Sequence, residues 1–381
     1  MKRYFGFLAI LSAGLLGALV AAPAVSSLEK NRLTVSSVTP GQEPPSWEWP
    51  VSTPEAQGLD AKTLADLVTL IREGKEFPRL HCLLIVRHGH LVVEEYFNDW
   101  KADRLHMLQS VSKSFTSALV GIAISRGEFK GVDEKVLDFF PDMKDIANMD
   151  ERKASIRLKD LLTMRSGTDY HERTPDAPHW QLNRLPKGWD KFYLDRPMVT
   201  SPGTSFLYDS GGVILMSAML KSRTGMHADK YAERYLFAPL GIKNYFWHKN
   251  LEGHAHAGGG LNLTARDTAK FGLLYLKNGR WGDKQVVPEE WVRESLRTHV
   301  DLTVKGQPPS GYGYLWWILA PDARGDGRQM IYAARGAYGQ LIFVVPEHDL
   351  VVVINGDVKS GAERSRHMSL FYDRILTAVR R

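Results

Sequence analysis

Apolar residues follow two rhythms along this chain. From Leu83 a short apolar run, Leu-Leu-Ile-Val, breaks at Arg-His-Gly-His and resumes as Leu-Val-Val-Glu-Glu-Tyr-Phe. Two strand-like runs around a glycine-containing break predict a β-hairpin. Over 110–126 the period changes: Phe115, Leu119 and Ile122 recur at helical spacing, and Gly127 stands where a helix ends. Residues 115–124 carry no charge, so this helix is predicted to be buried. Residues 130–250 read as helices and loops, including an aromatic-rich loop through Tyr170, Trp180 and Trp189. A further helical block is predicted over 264–300. Strands return at 314–318, 330–332, 340–345 and 350–354, the last two joined by Pro346-Glu-His-Asp349, and an amphipathic helix follows from about 361.

Strands at both ends with helices between them predict an α+β fold. One antiparallel sheet flanked by helices would be built from 51–100 and 301–381, with a mainly helical lobe over 101–300 inserted between. No internal repeat or low-complexity segment interrupts this plan.

The first 50 residues stand apart. Lys2 and Arg3 precede an uncharged apolar run over 5–20, and Ala22-Pro-Ala24 has the small-residue form of an export cleavage site. Cleavage there removes residues 1–24 as a signal peptide, leaves 357 residues (381 less 24) and lowers the net charge from +6 to +4. An uncleaved membrane anchor is the alternative, because the run is nearly long enough to span a bilayer. The proline-rich stretch 25–50 reads as a linker. The expected location is therefore periplasmic or secreted, with no stable membrane insertion after cleavage.

Charge changes the picture little. Forty-nine basic residues interleave with 43 acidic ones, and no basic stripe points to nucleic acid. Cys82 is the single cysteine, so no internal disulfide forms; within an apolar run it reads as an inert core residue.

Several motifs fit their bland reading better. Tyr208-Asp-Ser-Gly-Gly212 contains a protease-like Asp-Ser-Gly-Gly, but that chemistry needs an all-β double barrel. Ile85-Val-Arg-His-Gly89 resembles a phosphatase motif, yet His88-Gly89 falls where the hairpin turns. His254-Ala-His256 lacks further ligands at metal spacing and runs into Gly258-Gly-Gly260, a loop. No Gly-x-Ser-x-Gly elbow is present.

Ser110-Val-Ser-Lys113 survives. On a helix, positions i and i+3 share a face, so the lysine amine can sit beside the serine oxygen. A desolvated amine loses its proton more readily and can then take one from the serine. A second Ser-x-x-Lys, Ser27-Leu-Glu-Lys30, lies in the linker, so context must carry the assignment.

In that context the chain resembles the serine β-lactamase and penicillin-binding protein superfamily, in particular its class C and esterase-like branch. Six segments carry the resemblance in order: Gln109-Ser-Val-Ser-Lys-Ser-Phe-Thr-Ser117, Leu158-Lys-Asp-Leu-Leu-Thr-Met-Arg-Ser-Gly167, Pro202-Gly-Thr-Ser-Phe-Leu-Tyr208, Gly259-Gly-Leu-Asn-Leu-Thr-Ala-Arg-Asp267, Tyr312-Gly-Tyr-Leu-Trp-Trp317 and Ala334-Arg-Gly336. The resemblance implies Ser110 as acylated nucleophile, Lys113 as its base and Tyr208 as proton shuttle. Tyr208 would need nearby ammonium charge, from Lys113, to favour its anion. The resemblance further implies an oxyanion hole from the backbone N–H groups of Ser110 and Ala337, with Tyr170, Ser210 and Gly336 meeting substrate. No cofactor and no metal are implied.

Two positions depart from the pattern. Tyr208-Asp-Ser210 replaces Tyr-x-Asn, and Ala334-Arg335-Gly336 replaces Lys-Thr-Gly or His-x-Gly. Alanine cannot supply the lysine that helps recognise a β-lactam carboxylate, and Arg335, one position along a strand, is expected to face away. The reading is thus a serine hydrolase of small esters or amides, including carboxylesterase-type substrates and linear amides such as 6-aminohexanoate oligomers. Two alternatives stay open: a β-lactamase or D,D-peptidase, and a non-catalytic relative that binds cell-wall peptides.

Overall fold

A computed structural model describes residues 48–172, 174–321 and 330–380. The export segment read over 1–24 lies outside the described residues, as does all but the end of the linker. No described helix is long and apolar enough to cross a membrane.

Eight strands form one antiparallel sheet. They are β1 (Leu80–Arg87), β2 (His90–Tyr96), β3 (Val300–Asp301), β4 (Gly311–Tyr312), β5 (Trp317–Leu319), β6 (Ile331–Gly336), β7 (Gln340–Val345) and β8 (Leu350–Gly356). Their spatial order is β2-β1-β8-β7-β6-β5-β4-β3, so the N-terminal hairpin pairs with the last strand of the chain. Leu83 lies opposite Ile354 and Ile342 opposite Val353. His88 and Gly89 both adopt positive φ (49° and 78°), the conformation a two-residue hairpin turn requires.

The strand sequences lack a polar alternate because both sheet faces are buried. Leu84, Val86, Ile342, Val344, Val351 and Val353 join the core that includes the nucleophile helix. Leu83, Ile85, Leu341, Phe343, Val352 and Ile354 face the other way, against the helix Ala61–Arg72 and the C-terminal helix that begins at Gly361. On that side Phe343 and Phe371 stack with centroids 3.8 Å apart.

Helices fill the chain between Ser112 and Ser295, with a few short strands among them. The helix Ala265–Leu276 packs directly on the sheet: a Cβ on Gly272 would lie 2.5 Å from Val351 and 3.0 Å from Ile342. The helix Ser112–Ser125 is buried from Ser112 through Ala123, as its lack of charge predicts.

Three local expectations need correction. The block 264–300 is not continuous, because the small hairpin of Arg280–Trp281 and Lys284–Gln285 separates the helices Ala265–Leu276 and Glu289–Ser295. The strand expected at 314–318 starts only at Trp317. Leu315 takes φ 62°, and its N–H reaches the Leu162 and Gly313 carbonyls, so the chain turns there. Tertiary packing fixes that turn: Trp316 is fully buried against Phe271 and Tyr275. The segment from 110 begins as a 3-10 turn, Gln109–Val111, before the α-helix starts at Ser112.

Candidate active site

The helix Ser112–Ser125 enters the core with Lys113 in its first turn. Lys113 is 1% exposed, and among the described residues no carboxylate pairs with it. Its Nζ instead lies 2.9 Å from Ser110 Oγ, 2.7 Å from Ser210 Oγ and 2.5 Å from the Gly258 carbonyl oxygen. Burial pushes the amine down to about 8, against the nearby charges of Glu172 and Asp209, which pull it up. A neutral amine has two N–H bonds and one lone pair. With Ser210 Oγ and the Gly258 carbonyl taking the two hydrogens, the lone pair is left for the Ser110 hydroxyl. Protonated, the same nitrogen has a hydrogen for each of the three oxygens. Geometry and charge therefore suit a group that receives a proton from Ser110.

Three chain segments hold this arrangement. Gln109, just before Ser110, sits at φ 50°, an unfavourable conformation for a side chain of its kind. Gly336 at the end of β6 packs against this spot, where a Cβ would lie 2.5 Å from the Leu108 carbonyl oxygen. The next residue, Ala337, is thus brought up to the nucleophile turn. The Gly258–Gly260 turn is fastened to the helix by Thr116 Oγ1, which donates to the Ala257 carbonyl at 3.0 Å. The Leu261 N–H also donates to Ser112 Oγ, at 3.2 Å. The third segment delivers Tyr208: Gly203 turns at φ 77°, and the N–H groups of Gly203 and Leu207 donate to the Arg165 and Met164 carbonyls.

The Tyr208 ring lies 5.0 Å from Lys113 Nζ, and the nearby Ser110 hydroxyl acts on its phenol. Lys113 thus meets the ring face and not the hydroxyl, and no ammonium favours the phenolate as expected. Burial, with Glu172 second, raises the phenol well above its ordinary value, outweighing the opposing influence of the Ser110 hydroxyl and the Arg335 charge. Tyr208 is a neutral O–H here.

Asp209 caps the next helix, Ser210–Thr224, by accepting from the Gly212 N–H at 2.9 Å. Tyr193 and Ser166 donate to its other oxygen at 2.5 and 3.1 Å. Burial pushes this carboxyl up to about 6 against those donors. The Ser-Gly segment at 166–167 therefore acts by bracing the residue between Tyr208 and Ser210.

The residues expected to meet substrate fare differently. Ser210 is 2% exposed and serves as an acceptor for Lys113. Tyr170 has no exposed surface, so the structure does not support direct contact with substrate. It packs on Tyr193, and its hydroxyl lies 3.3 Å from His179 Nδ1. Gly336 remains partly open beside Ser110. Arg335 corrects a further expectation. Its guanidinium lies 5.0 Å over the Trp317 ring, which stacks on Tyr208 at 6.0 Å, and its charge acts on the phenol. Trp317 pairs across the ladder with Ala333, so Arg335, two residues on, shares its face.

Sequence reasoning passed over Asp209, Glu172, His256 and the Gly258 carbonyl. Only Asp209 carries a local signal, an aspartate three residues before the N–H it caps. His256 Nε2 donates to Asn183 Oδ1 at 2.9 Å, and Asn183 Nδ2 donates to His179 Nε2 at 3.1 Å. Burial drives His256 down to about 3, so it stays neutral. Among the described residues no cluster of three or more His, Cys, Asp or Glu is arranged to hold a metal.

The β-lactamase family profile matches residues 71–371. The 6-aminohexanoate-dimer hydrolase of Paenarthrobacter ureafaciens is 24% identical over 320 residues, covering 79% of each chain. The β-lactamase of Escherichia coli K12 is 23% identical over 296 residues, 66% of this chain and 74% of that one. A putative 6-aminohexanoate-dimer hydrolase from Bacillus anthracis superposes with a TM-score of 0.70 at 20% identity, over 86% of this chain and 87% of that chain. Fold, segment order and profile agree: the chain belongs to the β-lactamase family, whose members here are hydrolases of one shared fold.

Proposed function

We propose that this protein hydrolyses small esters or amides through an acyl-enzyme on Ser110. One observation carries the reading: a buried amine without an ion pair among the described residues, aimed at a serine hydroxyl 2.9 Å away. Lys113 takes the Ser110 proton as Oγ attacks the carbonyl carbon. Tyr208 gives its proton to the leaving group, and the proton that Lys113 took from Ser110 returns to the phenol by relay through water. Water then attacks the acyl-enzyme, the same groups carry the protons back, and Ser110 is freed. The N–H groups of Ser110 and Ala337 face the developing oxyanion, a contribution of roughly 3 kcal/mol per donor. The likeness to 6-aminohexanoate-dimer hydrolase makes linear amides candidate substrates beside simple esters. Export to the periplasm or medium is part of the same proposal and rests on residues 1–24 alone.

A second reading, a β-lactamase or D,D-peptidase, draws on Arg335, which puts a cation near Tyr208 although Ala334 has replaced the usual lysine. Turnover of p-nitrophenyl butyrate beside nitrocefin separates the two. The ester should be hydrolysed, with nitrocefin much slower, and Ser110→Ala should lose roughly a thousandfold or more in kcat. Rapid nitrocefin turnover without ester turnover would reverse the order.

A further inference from the structure

We propose that Gln340 is a positioning residue for the oxyanion hole, the last member of a buried hydrogen-bonded row that fixes the turn carrying the Ala337 N–H. The proposal rests on the acyl-enzyme reading and deepens it.

Gln340 opens β7 directly opposite Gly336, the last residue of β6. A Cβ on Gly336 would lie 3.0 Å from Gln340 Cβ and 3.1 Å from Gln109 Cβ, so Gln340 backs the glycine that touches the nucleophile turn. Between them Ala337, Tyr338 and Gly339 reverse the chain, with Tyr338 at φ 61° and Gly339 at φ 87°. Left-handed backbone is unfavourable for a tyrosine and persists only where its surroundings impose it. Tyr338 is 42% exposed, so packing of its own side chain does little to hold that conformation.

The turn is held from inside the sheet. Gln340 Nε2 donates to the Tyr338 carbonyl at 3.3 Å and to the Gly356 carbonyl at 2.8 Å. The Val358 N–H donates to the same Tyr338 carbonyl at 3.1 Å. Asn355 Nδ2 donates to Gln340 Oε1 at 3.0 Å, and Cys82 Sγ donates to Asn355 Oδ1 at 3.1 Å. Chemistry sets the direction of the whole row. A carbonyl only accepts, so Gln340 presents its NH2 to Tyr338 and Gly356 and its oxygen to Asn355. Asn355 then turns its NH2 to Gln340 and its oxygen to Cys82, which completes the row as a thiol donor. Burial holds that thiol well above its ordinary value, so its hydrogen stays in place.

Cys82, Asn355 and Gln340 are each at most 3% exposed. Two residues along, on the same face of β1, β8 and β7, stand Leu84, Val353 and Ile342. An apolar row would complete the sheet without the cost of burying two amides. The polar row occurs at the level of Gly336 and the Ala337 turn, where a fully bonded network specifies one backbone orientation.

Acylation by p-nitrophenyl butyrate and by its thionoester analogue, measured with the full-chain enzyme in excess, separates positioning from simple support of the fold. A thiocarbonyl sulfur is a poor hydrogen-bond acceptor, so the thionoester gains little from oxyanion-hole donors. Gln340→Met should lower the maximal acylation rate with the oxo ester about tenfold while half-saturation stays within twofold. The thionoester rate should hardly change, so the oxo-to-thiono ratio falls about tenfold. Asn355→Ala, which removes the support for Gln340 Oε1, should lower the ratio less, and Cys82→Ser, which retains a donor, should keep it. An unchanged ratio in Gln340→Met, whether both rates hold or both fall equally, would overturn the positioning role. If circular dichroism shows that Gln340→Met does not fold, the ratio in Asn355→Ala decides in the same way. Acylation of the wild type by the oxo ester, lost in Ser110→Ala, reports separately on the acyl-enzyme reading.

Discussion

At the scale of single residues, Lys113 decides how the site works. A lysine in water is almost wholly protonated at neutral pH, whereas burial brings this one to about 8. The base must be neutral, so kcat/KM for p-nitrophenyl butyrate should rise with pH and level off above about 8. A profile flat from pH 6 to 10, after correction for spontaneous hydrolysis, would remove Lys113 as the base. Lys113→Ala and Tyr208→Phe should each lower kcat by about 10²–10⁴-fold. Lys113→Arg should do the same, because a guanidinium does not lose its proton. Retained activity in any of the three would mean the proton takes another route. Glu172 and Asp209 pull the amine upward, so Glu172→Gln should move the rising limb of the profile to lower pH.

At the scale of elements, the site depends on backbone approach. The Gly336 contact brings the end of β6 against the residue before Ser110, and a methyl group there would collide with the Leu108 carbonyl. Gly336→Ala should therefore cut kcat by about 10²-fold, the scale of an ångström of misplacement, while circular dichroism remains native. Unchanged kcat would show that Ala337 need not sit so close. Much of this level was legible in the sequence. The hairpin, the uncharged helix after Ser110 and the C-terminal strands each show their period, and the ordered segments point to Ser110, Lys113 and Tyr208. What escaped is non-local. Leu315 turns because it reaches Leu162, far away in the chain, and no pattern at 314–318 announces that. Strand alternation placed Arg335 opposite Ala334 but did not reveal that Trp317, and through it Tyr208, lies on Arg335's side. The Gly258 carbonyl and Glu172 act through positions on other segments, and a backbone oxygen leaves no trace in residue type.

At the scale of the whole molecule, one sheet joins the ends of the chain, and the helices between Ser112 and Ser295 carry Lys113 and Ser210. Stability and chemistry fall on opposite faces of that sheet. Phe371 stacks on Phe343 on the face away from Ser110, so Phe371→Ala should cost about 3–5 kcal/mol and lower the melting temperature without changing kcat of the folded fraction. The Arg380–Asp60 pair also ties the C-terminal end to the first helix, but it is well exposed, and Arg380→Ala should lower the melting temperature far less than Phe371→Ala. Thermal melts of the two variants check that ordering. The most direct test of the central claim is labelling the purified protein with a fluorophosphonate, followed by peptide mass spectrometry. A single adduct on Ser110, lost in Ser110→Ala, is the predicted result. No adduct on the wild type, or an equal adduct on Ser110→Ala, would contradict it.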